Sequence, residues 1–195
     1  MSTNLSNPQY WDQRYQERGI EGSGAGSRGE KVKRKVKFVQ ELVNRYGIGS
    51  IFDYGCGNSR VIKGIKADRK MGYDFSPTIV DQVNDAGPNG TEITNDLSIA
   101  TSEKIGEFDC VMCMEVLFHN SDAECERILK TIADARVRLF ICCDSIDDAW
   151  SLRFFGRHIK PDSSRGIVDR LFRDYEQVTQ ERFIRGSELY ALLRS

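Results

Sequence analysis

Just past residue 50 the chain runs from an apolar stretch into a glycine turn: Ile51-Phe52-Asp53-Tyr54-Gly55-Cys56-Gly57-Asn58-Ser59-Arg60. A strand that enters a tight turn and leaves as a helix opens a parallel α/β unit. Such a turn lies at the carboxyl edge of its strand, where open α/β sheets bind ligands. A dinucleotide fingerprint would place a third glycine at position 60, where helix and strand pack closely. Arg60 stands there, which argues against a pyrophosphate. No Gly-x-x-x-x-Gly-Lys-Ser/Thr run occurs either, so the chain is not a P-loop protein. What remains is Asp-x-Gly-x-Gly, followed by a second acid, Asp74, at the end of the next strand. Asp74 either grips the hydroxyls of an unphosphorylated ribose or caps the helix that starts beside Ser76 and Pro77.

Strand-like and helix-like segments alternate after this turn. Strands are expected over Ser50–Tyr54, Lys70–Phe75, Thr91–Thr94, Phe108–Met114 and Val137–Cys143, with a final pair over Glu176–Phe183 and Glu188–Leu193. Helices are expected over Ser59–Lys66, Pro77–Asn84 and Asp122–Ala135, the last capped by Ser121. The alternation predicts an α/β fold, a mostly parallel sheet with helices on both faces. Ahead of it, Asn7-Pro8 starts a helix that Gly19 stops, and a second helix spans Glu30–Tyr46 up to Gly47. Between them runs a glycine-rich loop from Gly19 to Gly29, and its part from Glu21 to Gly29 is expected to be a lid, mobile until a ligand orders it.

The 195 residues suit one domain: front helices and lid over 1–48, a ligand-binding core over 49–145, and an acceptor-side insertion with the terminal strands over 146–195. Lys plus Arg number 28 against 29 Asp plus Glu, a balance that excludes a polybasic nucleic-acid binder. No apolar run approaches the roughly 18 residues of a membrane span, and a cytoplasmic protein is expected. Cys110 and Cys113 have knuckle spacing, but positions three apart on a strand face opposite ways, so core filling is expected and metal binding is not.

Helical phase singles out one residue of the basic run Lys31, Lys33, Arg34, Lys35 and Lys37. At about 100° per residue, Val32, Val36, Phe38, Val39, Leu42, Val43 and Tyr46 form one apolar arc, and Lys35 falls inside it. It either reaches an acceptor in the interior or snorkels its amine to the surface. His119, after the fourth strand, is placed to orient a substrate or take a proton, or simply to hold its turn.

Taken together, the motifs resemble those of class I S-adenosylmethionine-dependent methyltransferases. Phe52-Asp53-Tyr54-Gly55-Cys56-Gly57 resembles the first motif, and Asp74-Phe75 the ribose-binding acid and its neighbour. Asn95-Asp96 resembles the adenine-contacting segment, and Val111 to His119 the fourth-strand motif with its Glu115. The resemblance implies a Rossmann-like seven-stranded sheet whose last strand is antiparallel. It further implies S-adenosylmethionine as cofactor, with Gly55, Cys56 and Gly57 passing beside its methionine portion. Asp53 and Arg14 are candidates for the cofactor's ammonium and carboxylate, while Lys35, Glu115 and His119 face the acceptor or the cofactor tail. The front end, with Trp11, Arg14, Tyr15 and the Ser23-Gly24-Ala25-Gly26-Ser27 loop, resembles small bacterial methyltransferases of unassigned substrate.

The acceptor stays open at this level. A small molecule or a nucleobase is expected, with guanine N7 of an RNA cap as one alternative and a non-catalytic cofactor-binding module as another. A ribose 2′-O-methyltransferase would need a Lys-Asp-Lys-Glu set, which looks incomplete because no lysine lies between Lys130 and Lys160. An aromatic insertion containing Trp150, Phe154, Phe155, Arg157 and His158 is the expected wall of the acceptor pocket.

Overall fold

The computed structural model describes residues 7–87, 90–145, 161–184 and 187–195. The insertion residues Trp150, Phe154, Phe155, Arg157 and His158 lie outside them. Seven strands form one sheet in the order β3-β2-β1-β4-β5-β7-β6, and the chain divides into two compact units, Met1–Leu97 and Ser98–Ser195.

The first unit holds α1 (Asn7–Arg18), two 3₁₀ turns (Gly19–Ser23 and Ala25–Ser27), α2 (Gly29–Tyr46), β1 (Ser50–Tyr54), α3 (Arg60–Gly64), β2 (Arg69–Tyr73), α4 (Pro77–Asp85) and β3 (Glu92–Thr94). Both strand pairs here are parallel, with Asp53 opposite Gly72 and Gly72 opposite Ile93. Helix α2 ends where Gly47 takes the left-handed conformation at φ +60°, as its glycine stop requires. Lys35, Phe38, Val39, Leu42 and Val43 are its buried face, whereas Lys33, Arg34 and Lys37 are exposed, as the helical phase foretold. Helix α3 is shorter than the expected Ser59–Lys66. Ser59 sits at φ +54° before it and Ile65 is already extended after it. The N-terminus of α4 is capped twice: Ser76 Oγ accepts from the Ile79 amide at 3.3 Å, and Asp12 Oδ1 accepts from Ser76 Oγ at 2.5 Å and from the Thr78 amide at 3.2 Å. Those bonds hold the Asp12 carboxyl below its ordinary value despite the opposing effect of burial, and they fasten α1 to α4.

The second unit holds α5 (Ser102–Ile105), β4 (Cys110–Met114), α6 (Asp122–Asp134), β5 (Leu139–Ser145), α7 (Pro161–Leu171), β6 (Tyr175–Ile184) and β7 (Ser187–Arg194). Strand β4 pairs parallel with β5, and β7 lies antiparallel between β5 and β6. The antiparallel last strand and the mostly parallel sheet are as expected. Ser121 caps α6 by accepting from the Glu124 amide. All six cysteines are free thiols; Cys110, Cys113, Cys125, Cys142 and Cys143 are buried, and Cys56 is half-buried. Among the described residues, no helix is long and apolar enough to cross a membrane.

Candidate active site

The glycine turn is held to β2 by its own amides. Gly55 and Cys56 both donate to Tyr73 O, at 2.8 and 3.0 Å. Gly57 donates to Asp74 Oδ2 at 2.9 Å, Asn58 to Ser23 Oγ at 3.0 Å, and Ser59 to Cys56 O at 2.8 Å. Every amide from Gly55 to Ser59 therefore has a partner inside the protein. Phosphate cradles work by presenting such amides, and this turn presents none of these. The sequence argument against a pyrophosphate thus gains a structural reason.

Carboxylates line the same region. Asp74 is 5% exposed, for the turn wraps around it. Its second oxygen accepts from the Ser76 amide at 3.1 Å, and burial lifts its pKa to about 6 against the pull of those two amides. Asp53 is 2% exposed and its Oδ1 has no hydrogen-bond partner. Burial lifts the Asp53 carboxyl to about 7, while the positive charge of Lys35 works against the rise and Asp74 adds to it. A buried carboxylate oxygen with nothing to accept from calls for an incoming donor. Asn95 and Asp96 follow β3 on the surface, with Leu97 beside them 63% exposed, and Phe75 is half-buried.

Lys35 is 1% exposed, so it does not snorkel; its amine donates to Gly26 O at 3.3 Å. Arg14 is engaged within the front segment. Its Nε donates to Gly22 O at 2.6 Å, another guanidinium nitrogen donates to Tyr10 Oη at 3.4 Å, and the group lies 5.6 Å from the centre of the Trp11 ring. Arg14 shapes the front segment.

The Gly19–Gly29 run is tied to its surroundings by several side chains. Tyr15 Oη and Ser23 Oγ share a hydrogen bond at 3.2 Å above Gly57, where a Cβ would come within 2.9 Å of Ser23 Oγ. The Asn58 side-chain amide donates to Ile20 O at 3.3 Å and to Ser27 O at 3.5 Å. Arg60 pairs with Glu21, which also pairs with Arg28 at 2.7 Å and whose carboxyl these cations hold below its usual range. Arg60, noted in the sequence only as a missing glycine, is thus the clasp of the front segment. Ser23 and Asn58 were not singled out as site residues, because contacts between residues 35 to 38 positions apart leave no periodic trace. Arg60→Ala should open the segment, and limited proteolysis over residues 20–29 should run several-fold faster than in the parent. Unchanged cleavage would show that Arg60 holds nothing.

In the second unit, Glu115 sits at φ +60°, an uncommon conformation for a residue with a side chain, and its amide donates to Cys143 O at 2.7 Å. His119 closes the turn Leu117–His119, half-buried, with its ring 4.0 Å from that of Phe118.

Residues 52–135, which include the glycine turn, both buried acids and Glu115, match the methyltransferase domain family. Residues 52–135 are a methyltransferase domain, and the fold is that of class I S-adenosylmethionine-dependent methyltransferases. No curated protein matches the sequence. The methyltransferase shares its fold with magnesium protoporphyrin IX methyltransferase from Synechocystis PCC 6803, solved with bound S-adenosylhomocysteine, at 19% identity and a TM-score of 0.67 over 96% of this chain and 97% of that one. The N-methyltransferase NodS from Bradyrhizobium japonicum, also solved with S-adenosylhomocysteine, aligns at 11% identity and a TM-score of 0.68 over 97% of this chain and 99% of the other. A Haloferax volcanii methyltransferase in complex with the activator Trm112 aligns at 14% identity and a TM-score of 0.64 over 97% of each chain.

The donor set of the methyltransferase fits the family's cofactor. S-adenosylmethionine carries an ammonium, a carboxylate, a sulfonium and ribose hydroxyls, and no phosphate. A turn with its amides engaged, beside the orphaned oxygen of Asp53 and the buried Asp74, suits an ammonium and ribose hydroxyls and not a phosphate.

Proposed function

We propose that the methyltransferase transfers the methyl group of S-adenosylmethionine to a small-molecule or nucleobase acceptor. The observation that carries the cofactor half of this reading is the unpartnered Asp53 Oδ1, buried at the end of β1. The cofactor supplies a methyl already activated on a sulfonium, so the protein's task is to align acceptor, methyl and sulfur. Holding two reactants together can supply roughly 7–11 kcal/mol of the barrier. Asp53 takes the ammonium, Asp74 the ribose hydroxyls and Asp96 the adenine amino group, with Gly55, Cys56, Gly57, Phe75 and Asn95 lining the path. Glu115 and His119 serve the acceptor: the left-handed backbone fixes the direction of Glu115, and an imidazole can take a proton near neutral pH. A small, near-neutral chain with net charge -1 has no general attraction for RNA, which favours a small acceptor over a capped transcript.

Calorimetry should show S-adenosylmethionine binding at pH 8 that weakens on acidification. The sign follows from the carboxyls: with pKa values of about 7 and 6 in the free site, Asp53 and Asp74 gain protons as pH falls, and a protonated carboxyl no longer attracts a cation. Each contributes up to about tenfold per pH unit below its own pKa. Formation of S-adenosylhomocysteine in the presence of a metabolite pool, and not of capped RNA, is the expected turnover. Absence of cofactor binding at pH 8 would remove the reading.

A further inference from the structure

A cleft of about 730 Å³ opens in the first unit, within the range of small-molecule sites. It lies at the amino ends of β1 and β2, whereas the glycine turn and Asp74 follow their carboxyl ends. Val43, Ile48 and Ile65, all buried, form its apolar wall. Lys63 from α3, Lys66 from the connection after it and Lys70 from β2 also line it, against one acid, Asp68. Lysines elsewhere in the chain find carboxylates: Lys33, Lys104 and Lys130 each hold one, at 2.5, 3.0 and 2.7 Å. Among the described residues, the three lysines of the cleft hold none. Lys63 Nζ donates to Val83 O at 3.3 Å and Lys70 Nζ to Ile65 O at 2.9 Å, both backbone carbonyls. An ammonium has three protons to give, so each of these keeps two. Burial lowers the pKa of Lys63 and Lys70 alike. Positive charge is thus gathered and partly desolvated in one cleft, a cost that an anion would relieve.

We propose that this cleft binds a small organic phosphate, its phosphate on Lys63, Lys66 and Lys70 and its organic part against Val43, Ile48 and Ile65. The cleft shares no residue with the cofactor site, so the two can be filled together. The donor set favours phosphate over carboxylate. Arginine's planar fork matches a carboxylate in two bonds, and no arginine is among the described residues lining the cleft. Lysine is a point charge with three protons, which suits the several oxygens of a phosphate. A concave site with an apolar wall, on a chain of net charge -1, favours a small ligand over RNA.

Inorganic phosphate, pyrophosphate and phenyl phosphate are the probes, in calorimetry at low salt. Pyrophosphate adds charge for the lysines and phenyl phosphate adds a ring for the apolar wall. Both should bind at one saturable site, about tenfold or more tightly than inorganic phosphate, and equally with and without S-adenosylhomocysteine. The double variant Lys63→Gln/Lys70→Gln should weaken both probes about 30-fold or more, roughly tenfold for each charged hydrogen bond lost. Should it fail to fold, Lys66→Gln, at an exposed position, should still cost about fivefold. Lys33→Gln/Lys37→Gln, on the exposed face of α2 outside the cleft, should change binding by less than about twofold. Binding of either probe no tighter than that of inorganic phosphate would overturn the proposal. So would displacement by S-adenosylhomocysteine, parental binding in the cleft variants, or an equal loss in the α2 variant. A short single-stranded RNA that binds more tightly than both probes, and is lost in the same cleft variants, would overturn it in favour of nucleic acid.

Discussion

Asp74→Ala should lower cofactor affinity by more than 100-fold and destabilise the unliganded protein by about 1–3 kcal/mol. The two effects have separate causes. Affinity falls because hydrogen bonds to a charged acceptor, about 1.5–3 kcal/mol each, are lost. Stability falls because the amides of Gly57 and Ser76, which now donate to the two carboxylate oxygens, are left unpaired in the interior. Removing a carboxyl whose burial lifts it to about 6 gives back part of that loss, which keeps the net figure modest. Asp74→Asn should separate the two. Its single carbonyl oxygen can still accept from one amide, so most of the stability returns, but the anion is gone and binding stays weak. Calorimetry and thermal denaturation of both variants read the outcome. A folded Asp74→Ala protein with parental affinity would take the ribose contact away from this residue.

Gly72→Val should be the most damaging substitution remote from any ligand. At Gly72 a Cβ would lie 2.7 Å from Ile93 Cδ1, 2.8 Å from Cys56 Sγ and 3.0 Å from Cys56 Cβ. Strand β2 needs a glycine here so that the turn can fold Cys56 back over it. Overpacking of this kind costs about 1–3 kcal/mol, which for a chain of this size lowers Tm by roughly 2–4 °C per kcal/mol. Because Cys56 sits between the two glycines of the turn, the displacement should also weaken cofactor binding about tenfold or more. Gly72→Ala should act in the same direction, and pairing it with Cys56→Ala should recover part of the loss, since the two side chains compete for one space. A Gly72→Val protein that melts with the parent would show that the strand yields freely.

What the sequence exposed and what it hid follow from the range of the interactions. Strand β1, helix α2 with its Gly47 stop and the Ser121 cap are local, set by periodicity and by residues a few positions apart, and they stand where expected. Lys35 was found by the same means, because a lysine out of phase with its charged neighbours is visible on a helical wheel. The glycine count of the front segment was a poor guide. Glycine reports how freely a backbone can turn and says nothing of whether Asn58 and Arg60, far away in sequence, will hold it. Burial of Asp74 was hidden for a related reason. An acid at the end of a strand looks solvent-facing until the turn that wraps it is known. Gly72 looked like one unremarkable residue of a strand; its meaning lies wholly in Ile93 and Cys56.

The engaged amides of the glycine turn bear on competition inside a cell. ATP, ADP and NAD present the same adenosine as S-adenosylmethionine, and shape alone separates them poorly at the adenine and ribose. Charge separates them at once. A triphosphate or pyrophosphate reaching past the ribose would meet amides from Gly55 to Ser59 that already have partners, and two buried carboxyls, Asp53 and Asp74, that repel it when ionised. With the cofactor held as proposed, the site would read an adenosine by what is attached to its 5′ carbon: a sulfonium would be admitted and a phosphate turned away, with no residue devoted to the rejection.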